Sequence, residues 1–351
     1  MNNSRTNEGS YINSTWLSSL GLQSPNNTEE LYTVLKAFKD QDANGDGNTE
    51  DEIPVSFFKN DTLNFFLSAF DIFGNGSPNE TYPYLMVEDS EVVFYPERDN
   101  YREFLEYMHR LYEEGLIDPN SFVQEEQDLQ AKGKNGQLGV VAGVSYVDIH
   151  VGDYAEEYDY ILPLEDKDGV RHYVPSRFSG DVILNAFIVT NNCEYPAAMV
   201  RLYDYLNSSY ENRLYYYWGQ EGTACENAED GKITRLNATV PEGYSNYAEV
   251  RHTLSMGIMG PILWNDEDQA TFAVTNERGI VYYSRSEPYM EYAIDEYIPP
   301  GQDTAEASQE ISVLLTEMRT YIDNFQAESI MKGVDDAKWE QHLNTVKPFG
   351  S

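Results

Sequence analysis

The sequence predicts an α/β protein built from two domains. Its 351 residues exceed the usual length of a single domain, which is about 100 to 200 residues. Apolar runs of strand length alternate along the chain with segments of helical periodicity, as they do in α/β architectures. Hydrophobic residues make up 41% of the chain, so each domain has enough apolar material for a core.

Acidic residues dominate the charge. Sixty acidic and 23 basic side chains give a formal net charge of −37, which repels nucleic acid and anionic membranes and favours cations or neutral polar ligands. The acids are interleaved with 28 tyrosines and 15 phenylalanines, unlike the low-aromatic composition of a disordered acidic tail. Such a surface suits the hydroxyl groups and ring faces of sugars, and it also suits mere solubility.

The first half of the chain alternates helices and strands. Asn27 and Glu30 form a capping box that opens a helix with apolar residues at i, i+3, i+4 and i+7. Those residues are Leu31, Val34, Leu35 and Phe38. Strand patterns cover 53–58 and 138–144. Helical patterns cover 63–73 and a segment that begins at Asp99 and ends at Gly115.

The second half is less regular. Residues 154–177 are predicted as loop or edge strand, 185–190 as a continuous apolar strand, and 215–230 as a loop. Pro196 opens a predicted buried helix whose apolar residues are Met199, Leu202, Tyr203 and Leu206. The clearest helical stripe consists of Ile311, Leu314, Leu315, Met318, Tyr321, Ile322 and Phe325. Trp16 and Trp339 are predicted in the core, whereas His109 and His342 are predicted on helix surfaces.

A calcium loop is predicted between Asp42 and Pro54, where oxygen side chains alternate around two glycines. Ca²⁺ takes six to eight oxygen ligands at about 2.3 to 2.6 Å. The side chains of Asp42, Asn44 and Asp46 and the carbonyl of Asn48 would supply four of them, and Glu50, Asp51 or Glu52 would close the shell. The loop departs from the EF-hand at position twelve, where Ile53 replaces the bidentate Glu. We therefore expect a structural ion in a helix-loop-strand unit; the alternative is a polar turn without metal.

Other chemistry finds little support. The chain contains no H-E-x-x-H, G-x-S-x-G, P-loop or G-x-G-x-x-G pattern, and 60 acids make any carboxylate pair uninformative about glycoside hydrolysis. Cys193 and Cys225 are the only two cysteines, which is too few for a metal site made of thiolates. Whether they form a disulfide is left undetermined by the sequence. The chain shows neither a membrane span nor a signal peptide. Because calcium loops of this kind work best outside the cytosol, we expect a fragment that lacks its native N-terminus.

Several short segments together resemble one family. They are Tyr-Ile-Asn at 11–13, Trp-Leu at 16–17, Leu-Gly-Leu at 20–22, Thr-Glu-Glu-Leu at 28–31, Asp-Glu-Ile-Pro at 51–54, Leu-Tyr-Glu-Glu-Gly-Leu-Ile-Asp-Pro at 111–119, Trp-Gly-Gln-Glu-Gly at 218–222, Tyr-Ile at 321–322 and Met-Lys-Gly at 331–333. Their colinear order resembles the family 1 extracellular solute-binding proteins of ABC transporters. The nearest branch is the large lipoprotein type, which includes alginate-oligosaccharide binders with an EF-hand-like calcium loop.

The resemblance implies a two-lobed, type II periplasmic-binding-protein-like fold, in which a carbohydrate is held in a cleft and closure presents it to the permease. It implies that residues 8–183 and 303–351 form the calcium-containing lobe, and that 184–302 form part of a second lobe whose first half is missing. The parent protein would be an extracellular, lipid-anchored, non-catalytic monomer that binds no nucleic acid. Rival hypotheses are a calcium-dependent lyase or glycosidase and a calcium-stabilised adhesion module.

The resemblance also bears on the residues of both sites. The calcium loop is one residue longer here than in the oligosaccharide binders. Alignment from the end of the loop therefore makes Asp51 and Glu52 the last calcium ligands, whereas alignment from Asp42 makes them Glu50 and Asp51. Sugar sites pair an aromatic face with hydrogen-bonding side chains. The candidates in this chain are Trp218 with Glu221, Tyr146 by its order in the family, and the strand-end residues Asn60, Asp61 and Phe65. For the aromatic residues, packing against the core is the competing explanation.

Overall fold

The structure is a computed structural model that describes residues 9–58, 63–73, 83–144, 147–173, 187–219, 225–227, 233–235, 253, 262–263, 287–296, 298 and 304–347. The chain separates into two compact units. The larger unit comprises residues 1–180 and 286–351, and the smaller comprises 181–285. That the lobes are divided at 183/184 and at 302/303 remains a prediction.

Strands and helices alternate along the described part of the chain; β7, β8, α7 and α8 belong to the smaller unit and the other elements to the larger one. The described strands are β1 Gly9–Asn13, β2 Ile53–Ser56, β3 Leu85–Glu88, β4 Glu91–Phe94, β5 Leu138–Val144, β6 Tyr158–Ile161, β7 Cys225–Asn227 and β8 Ile233–Arg235. The described helices are α1 Ser14–Ser19, α2 Thr28–Asp40, α3 Asn64–Leu67, α4 Asp99–Glu113, α5 Glu126–Lys134, α6 Val147–Val151, α7 Pro196–Asn207, α8 Tyr210–Trp218, α9 Ala305–Lys332 and α10 Asp336–Val346. None of these helices combines the length and the apolar character that a membrane crossing needs.

A four-stranded mixed sheet organises the larger unit. Its order is β2-β5-β1-β6; β5 runs parallel to β2 and antiparallel to β1. The continuous apolar run of β5 is buried on both faces, with Val140 in one hydrophobic cluster and Val141 in another. A Cβ on Gly139 would lie 2.4 Å from a ring carbon of Phe38 and 2.9 Å from the Pro54 carbonyl oxygen. Close packing of α2 on the sheet therefore requires glycine at this position.

Helix α2 forms as its sequence predicts. The side chain of Asn27 accepts a hydrogen bond from the Glu30 amide at 2.9 Å, and this bond satisfies one of the free donors of the first turn. The four apolar residues of the stripe are all buried. One of them, Phe38, packs edge-on against Trp16 with ring centroids 5.2 Å apart. The buried stripe holds the helix against the sheet and fixes where its C-terminus lies.

The C-terminal helices α9 and α10 complete the core of the larger unit against α4. Tyr101 of α4 donates a hydrogen bond to Gln326 of α9 at 3.1 Å, and Phe325 and Trp339 are buried beside it. The prediction that His342 lies on the surface is wrong. Its ring is fully buried and stacks on Phe325 with centroids 3.8 Å apart, because the same face of α10 carries Trp339 into the core.

The smaller unit departs from the sequence prediction in two places. The predicted burial of α7 is wrong, since Met199 is 37% and Leu202 is 42% exposed; in the described part, α8 and the ring of Phe187 pack on this helix. Residues 187–190 form no strand and Ile188 is 65% exposed, because no described strand pairs with them. Cys193 carries a free thiol.

Candidate functional site

The predicted calcium loop lies between α2 and β2, and both of its ends are fixed. At the helix end, the Gln41 amide donates to the Ala37 carbonyl at 3.2 Å. At the strand end, the Ile53 amide donates to the Gln137 carbonyl at 2.8 Å, beside the first residue of β5. The loop is therefore closed by hydrogen bonds to regular structure on each side.

Side-chain oxygens at alternate positions hold the loop in its fold. Asp42 accepts hydrogen bonds from the amides of Gly45 at 2.8 Å and Gly47 at 3.0 Å. Three further backbone amides each donate to the side-chain oxygen of the residue two positions earlier. These bonds are Asp46 to Asn44 at 2.9 Å, Asn48 to Asp46 at 2.8 Å and Glu50 to Asn48 at 3.2 Å. Gly45 and Gly47 have φ angles of 77° and 91°, a left-handed conformation that favours glycine.

Two acidic side chains close the loop, and each has a buried oxygen without a hydrogen-bond partner. Glu52 is only 8% exposed; its Oε1 accepts a hydrogen bond from the Ala43 amide at 2.9 Å, whereas its Oε2 has no partner. Oδ1 of Asp51 is also buried and unpartnered. Burial raises the pKa of Glu52, and the charge of Asp51 adds to the effect. Unpaired buried carboxylate oxygens are costly, so these residues fit a cation bound by oxygen ligands, such as Ca²⁺.

A polar network fixes the end of β2, just before the predicted strand-end residues. Ser56 donates to Oδ2 of the buried Asp118 at 2.8 Å, and Lys132 donates to the same oxygen at 2.5 Å. Burial would raise the pKa of Asp118, but the hydrogen bonds from Lys132, Asn120 and Ser56 together lower it. Gln124 also donates to Ser56, at 2.9 Å. The carboxylate of Asp118 is therefore paired with Lys132 and Ser56, and these bonds together hold the end of β2.

Most of the predicted sugar-binding residues lie outside the described part of the structure. These are Asn60, Asp61, Tyr146 and Glu221. Trp218 was expected in a loop, but it is the last residue of α8. That helix begins after Ser209, whose side chain accepts a hydrogen bond from the Asn212 amide at 3.1 Å. The side chain of Trp218 is not among the described ones. Phe65 is partly buried against the main core and packs edge-on to Phe66 at 5.1 Å. Its assignment to a ligand site remains a prediction.

Solved structures define the class of fold. FusA of Streptococcus pneumoniae, an ABC-transporter substrate-binding protein in complex with kestose, matches with a TM-score of 0.77 and 24% identity over 99% of this chain and 70% of that chain. An HMO-binding, ABC-transporter-associated solute-binding protein of Bifidobacterium longum infantis matches with a TM-score of 0.76 and 21% identity over 100% and 72%. The alginate-binding protein AlgQ2, solved without calcium ion, matches with a TM-score of 0.67 and 19% identity over 98% and 69%. The chain has the two-lobed, periplasmic-binding-type fold of solute-binding proteins, which confirms the predicted fold class.

Sequence comparison points the same way. The fructooligosaccharide ABC transporter substrate-binding protein FusA of Streptococcus pneumoniae serotype 4 is 29% identical over 365 residues, which cover 98% of this chain and 63% of FusA. The chain therefore spans less than two thirds of the length of that relative. No protein-family profile matches it. Its neighbours in sequence and in structure are sugar-binding proteins of ABC transporters, so the resemblance to family 1 solute-binding proteins is confirmed. A second FusA structure is that of an EF-hand mutant in complex with fructo-nystose.

Proposed function

We propose that this chain is the oligosaccharide-binding component of an ABC importer, without catalytic activity and with one structural Ca²⁺. The observation that carries the proposal is the similarity to FusA, which extends over 98% of the chain in sequence and 99% in structure. On this proposal the protein works outside the cytoplasm as a monomer, anchored by lipid in its parent form. Closure on the sugar would present the loaded protein to the transmembrane subunits of the permease.

The calcium part of the proposal rests on the loop itself. We assign the ligands to the side chains of Asp42, Asn44, Asp46, Asp51 and Glu52 and to the carbonyl of Asn48. Glu52 is preferred to Glu50 because Glu52 is buried with one free oxygen, whereas Glu50 is exposed. Bound Ca²⁺ would supply positive charge to these carboxylates. Loop closure by the ion would then fix the end of α2 to the start of β2.

The sugar part of the proposal assigns Trp218 to stack on an apolar sugar face and Glu221 to accept hydrogen bonds from hydroxyl groups. Tyr146 and the strand-end residues Asn60, Asp61 and Phe65 would complete the site. The network of Ser56, Asp118 and Lys132 supports this assignment, because it fixes the strand that leads to residues 60 and 61. Binding sites need such rigid support.

The proposal is tested by asking whether the full chain binds sugar and leaves it intact. The calcium-loaded protein is titrated calorimetrically with kestose, with nystose and with a polyuronate oligomer, and each mixture is then analysed for products. We expect saturable binding of a neutral oligosaccharide with no product. Release of reducing ends or unsaturated products would instead assign a calcium-dependent carbohydrate-active enzyme. Failure of every sugar to bind would contradict the importer role and favour the adhesion module.

Substitution of Trp218 tests the stacking residue. Stacking of a planar ring on an aromatic side chain contributes about 1 to 3 kcal/mol in the case of nucleobases. If a sugar face gains a similar amount, Trp218→Ala is expected to weaken sugar binding about 10- to 100-fold and to remove the ligand-induced change in tryptophan fluorescence. Trp218→Phe keeps an aromatic face and is expected to retain most of the affinity. Equal affinities of the wild type and Trp218→Ala would show that this residue only packs.

A further inference from the structure

Three potential metal ligands meet in the larger unit, away from the calcium loop. They are Asp71, Asp166 and His172, and one ligand atom from each lies within 4.8 Å of the other two. Asp71 follows the short helical stretch after α3, and the other two residues flank a turn after β6. The proximity of these three side chains comes from the tertiary fold, because Asp71 is far in sequence from the turn.

Asp166 is the buried anchor of the cluster. Its side chain is only 3% exposed, and its Oδ1 accepts hydrogen bonds from the amides of Asp168 at 2.8 Å and Val170 at 2.9 Å. These bonds leave Oδ2 directed at His172, whose Nε2 lies 3.2 Å away. When backbone amides hold one oxygen of a carboxylate, the other oxygen is oriented in advance to bind a metal. Hydrogen bonds from the outer shell orient the ligands of known metal sites in the same way.

Asp71 brings a second carboxylate to the same point. One of its oxygens lies 3.8 Å from Nε2 of His172, and a carboxylate oxygen of Asp71 lies within 4.8 Å of one of Asp166. Burial, followed by the contact with Asp166, raises the pKa of Asp71, while the charges of His172 and Lys167 oppose that rise. Two neighbouring carboxylates cannot both ionise without compensation. A divalent cation held between the two carboxylates and the imidazole would add to the compensation that His172 and Lys167 provide.

The cluster also has room for an ion and for its remaining ligands. His172 and Asp71 line a cavity of about 500 Å³. Three further carboxylates, two cationic side chains, Phe73 and Asn100 also border it: Glu88, Glu97, Asp99, Arg98 and Lys167 are the charged ones. The His172 ring packs against Phe73, with ring centroids 4.3 Å apart, which restricts its rotation. Two of the three protein ligands, Asp71 and His172, face this open cavity, and it leaves coordination positions free for water, an arrangement typical of zinc sites with exchangeable ligands.

We propose that Asp71, Asp166 and His172 form a second divalent-cation site, specific for borderline metals of the Zn²⁺ class. An imidazole nitrogen together with two carboxylate oxygens suits Zn²⁺, whereas Ca²⁺ and Mg²⁺ take oxygen ligands almost exclusively. The site is separate from the calcium loop, whose ligands are all oxygens. It ties the segment after α3 to the turn after β6.

Zinc titration of the full chain tests the site without any sugar, so its outcome is independent of the proposed function. The protein is stripped with chelator, saturated with Ca²⁺ to fill the loop, and titrated with Zn²⁺ against a chromophoric chelator. We expect one Zn²⁺ to bind per chain, and binding to weaken at least tenfold in His172→Gln and in Asp71→Asn. Co²⁺ bound to the wild type should show a visible absorption band that both variants lose.

His109→Gln is the matched control, because this histidine bonds to the Ile330 carbonyl at 2.8 Å and lies outside the cluster. It should bind Zn²⁺ as the wild type does. Equal Zn²⁺ affinities of the wild type and His172→Gln, or an equal loss in His109→Gln, would overturn the proposal. Absence of the Co²⁺ band from the wild type would also overturn it, and this measurement does not depend on the stability of any variant.

Discussion

Chelation of calcium is expected to lower the melting temperature of this chain by about 5 to 10 °C. A ligand that binds only the folded state at about 100 times its Kd adds about 2.7 kcal/mol of stability, and 1 kcal/mol moves the melting temperature of a domain of about 150 to 250 residues by about 2 to 4 °C. The loss is expected here because Asp51 and Glu52 keep buried oxygens that only the cation would partner. Calorimetric melts with calcium and with excess chelator measure the shift.

The calcium effect should also depend on pH. The pKa of Glu52 is raised by burial above its ordinary 4.5, so without metal the folded state holds a proton that the unfolded state releases. This contribution to stability is fully present below the ordinary pKa and is lost as the pH rises through the raised pKa. With Ca²⁺ bound, the ionised form is the one required. The calcium-dependent shift in melting temperature should therefore be larger at pH 7.5 than at pH 5.

Two neighbouring acids provide a matched pair of variants for the loop. Glu52→Gln should abolish most of the calcium-induced stabilisation, whereas Glu50→Gln should leave it nearly unchanged, because Glu50 is exposed and only its backbone amide is bonded in the loop. The opposite ranking would place Glu50 in the metal shell. Identical melts with calcium and with chelator would show that the loop is a metal-free polar turn.

Acidification is expected to destabilise the protein through His342, by about 3 kcal/mol between pH 6.5 and pH 4. Burial lowers the pKa of this imidazole to about 4. Its Nε2 lies 2.8 Å from the Pro96 carbonyl oxygen and must carry the proton, so Nδ1 accepts from the Tyr321 hydroxyl at 3.3 Å. The unfolded chain binds a proton below pH 6.5 while the folded chain does not. Stability is therefore full above that pH and is lost as the pH falls towards 4.

Urea unfolding at several pH values between 7 and 4.5 measures this effect. His342→Gln can still donate to Pro96 but does not titrate, so it should be less stable than the wild type at pH 7 and should show a weaker pH dependence. The difference in unfolding free energy between the two proteins should then shrink as the pH falls, since their carboxylates titrate alike. A difference that stays constant from pH 7 to 4.5 would refute the role of His342.

Local signals in the sequence were sufficient for one part of the fold. The cap at Asn27, the apolar stripe of α2 and the Asp/Asn/Gly spacing of the loop act over a few residues, and the structure forms both the helix and the hydrogen-bonded turn. The strands at 53–56 and 138–144 were also visible as short apolar runs. Such features depend on periodicity and capping alone, so they can be inferred without knowledge of the tertiary structure.

Features that depend on distant neighbours were mispredicted or missed. Apolar residues such as Met199 and Leu202 predict burial, but burial also requires another element to cover them, and periodicity gives no information about that element. His342 was assigned to the surface because a single histidine carries no signal that aromatic residues of another helix will surround it. The proximity of Asp71 to His172 likewise follows from tertiary packing, and no spacing motif in the sequence indicates it.

The larger unit is built from two separate segments of the chain, residues 1–180 and 286–351. This affects how the protein reaches its native state. Tyr101 of α4 is fully buried, and its contacts include Gln326 and Trp339 of the last two helices. During synthesis, 225 further residues must emerge before the contact with Gln326 can form. At about 5 to 20 residues per second, this takes tens of seconds. Throughout that interval the nascent chain exposes an unfinished apolar surface, and exposed surface of this kind is prone to aggregation.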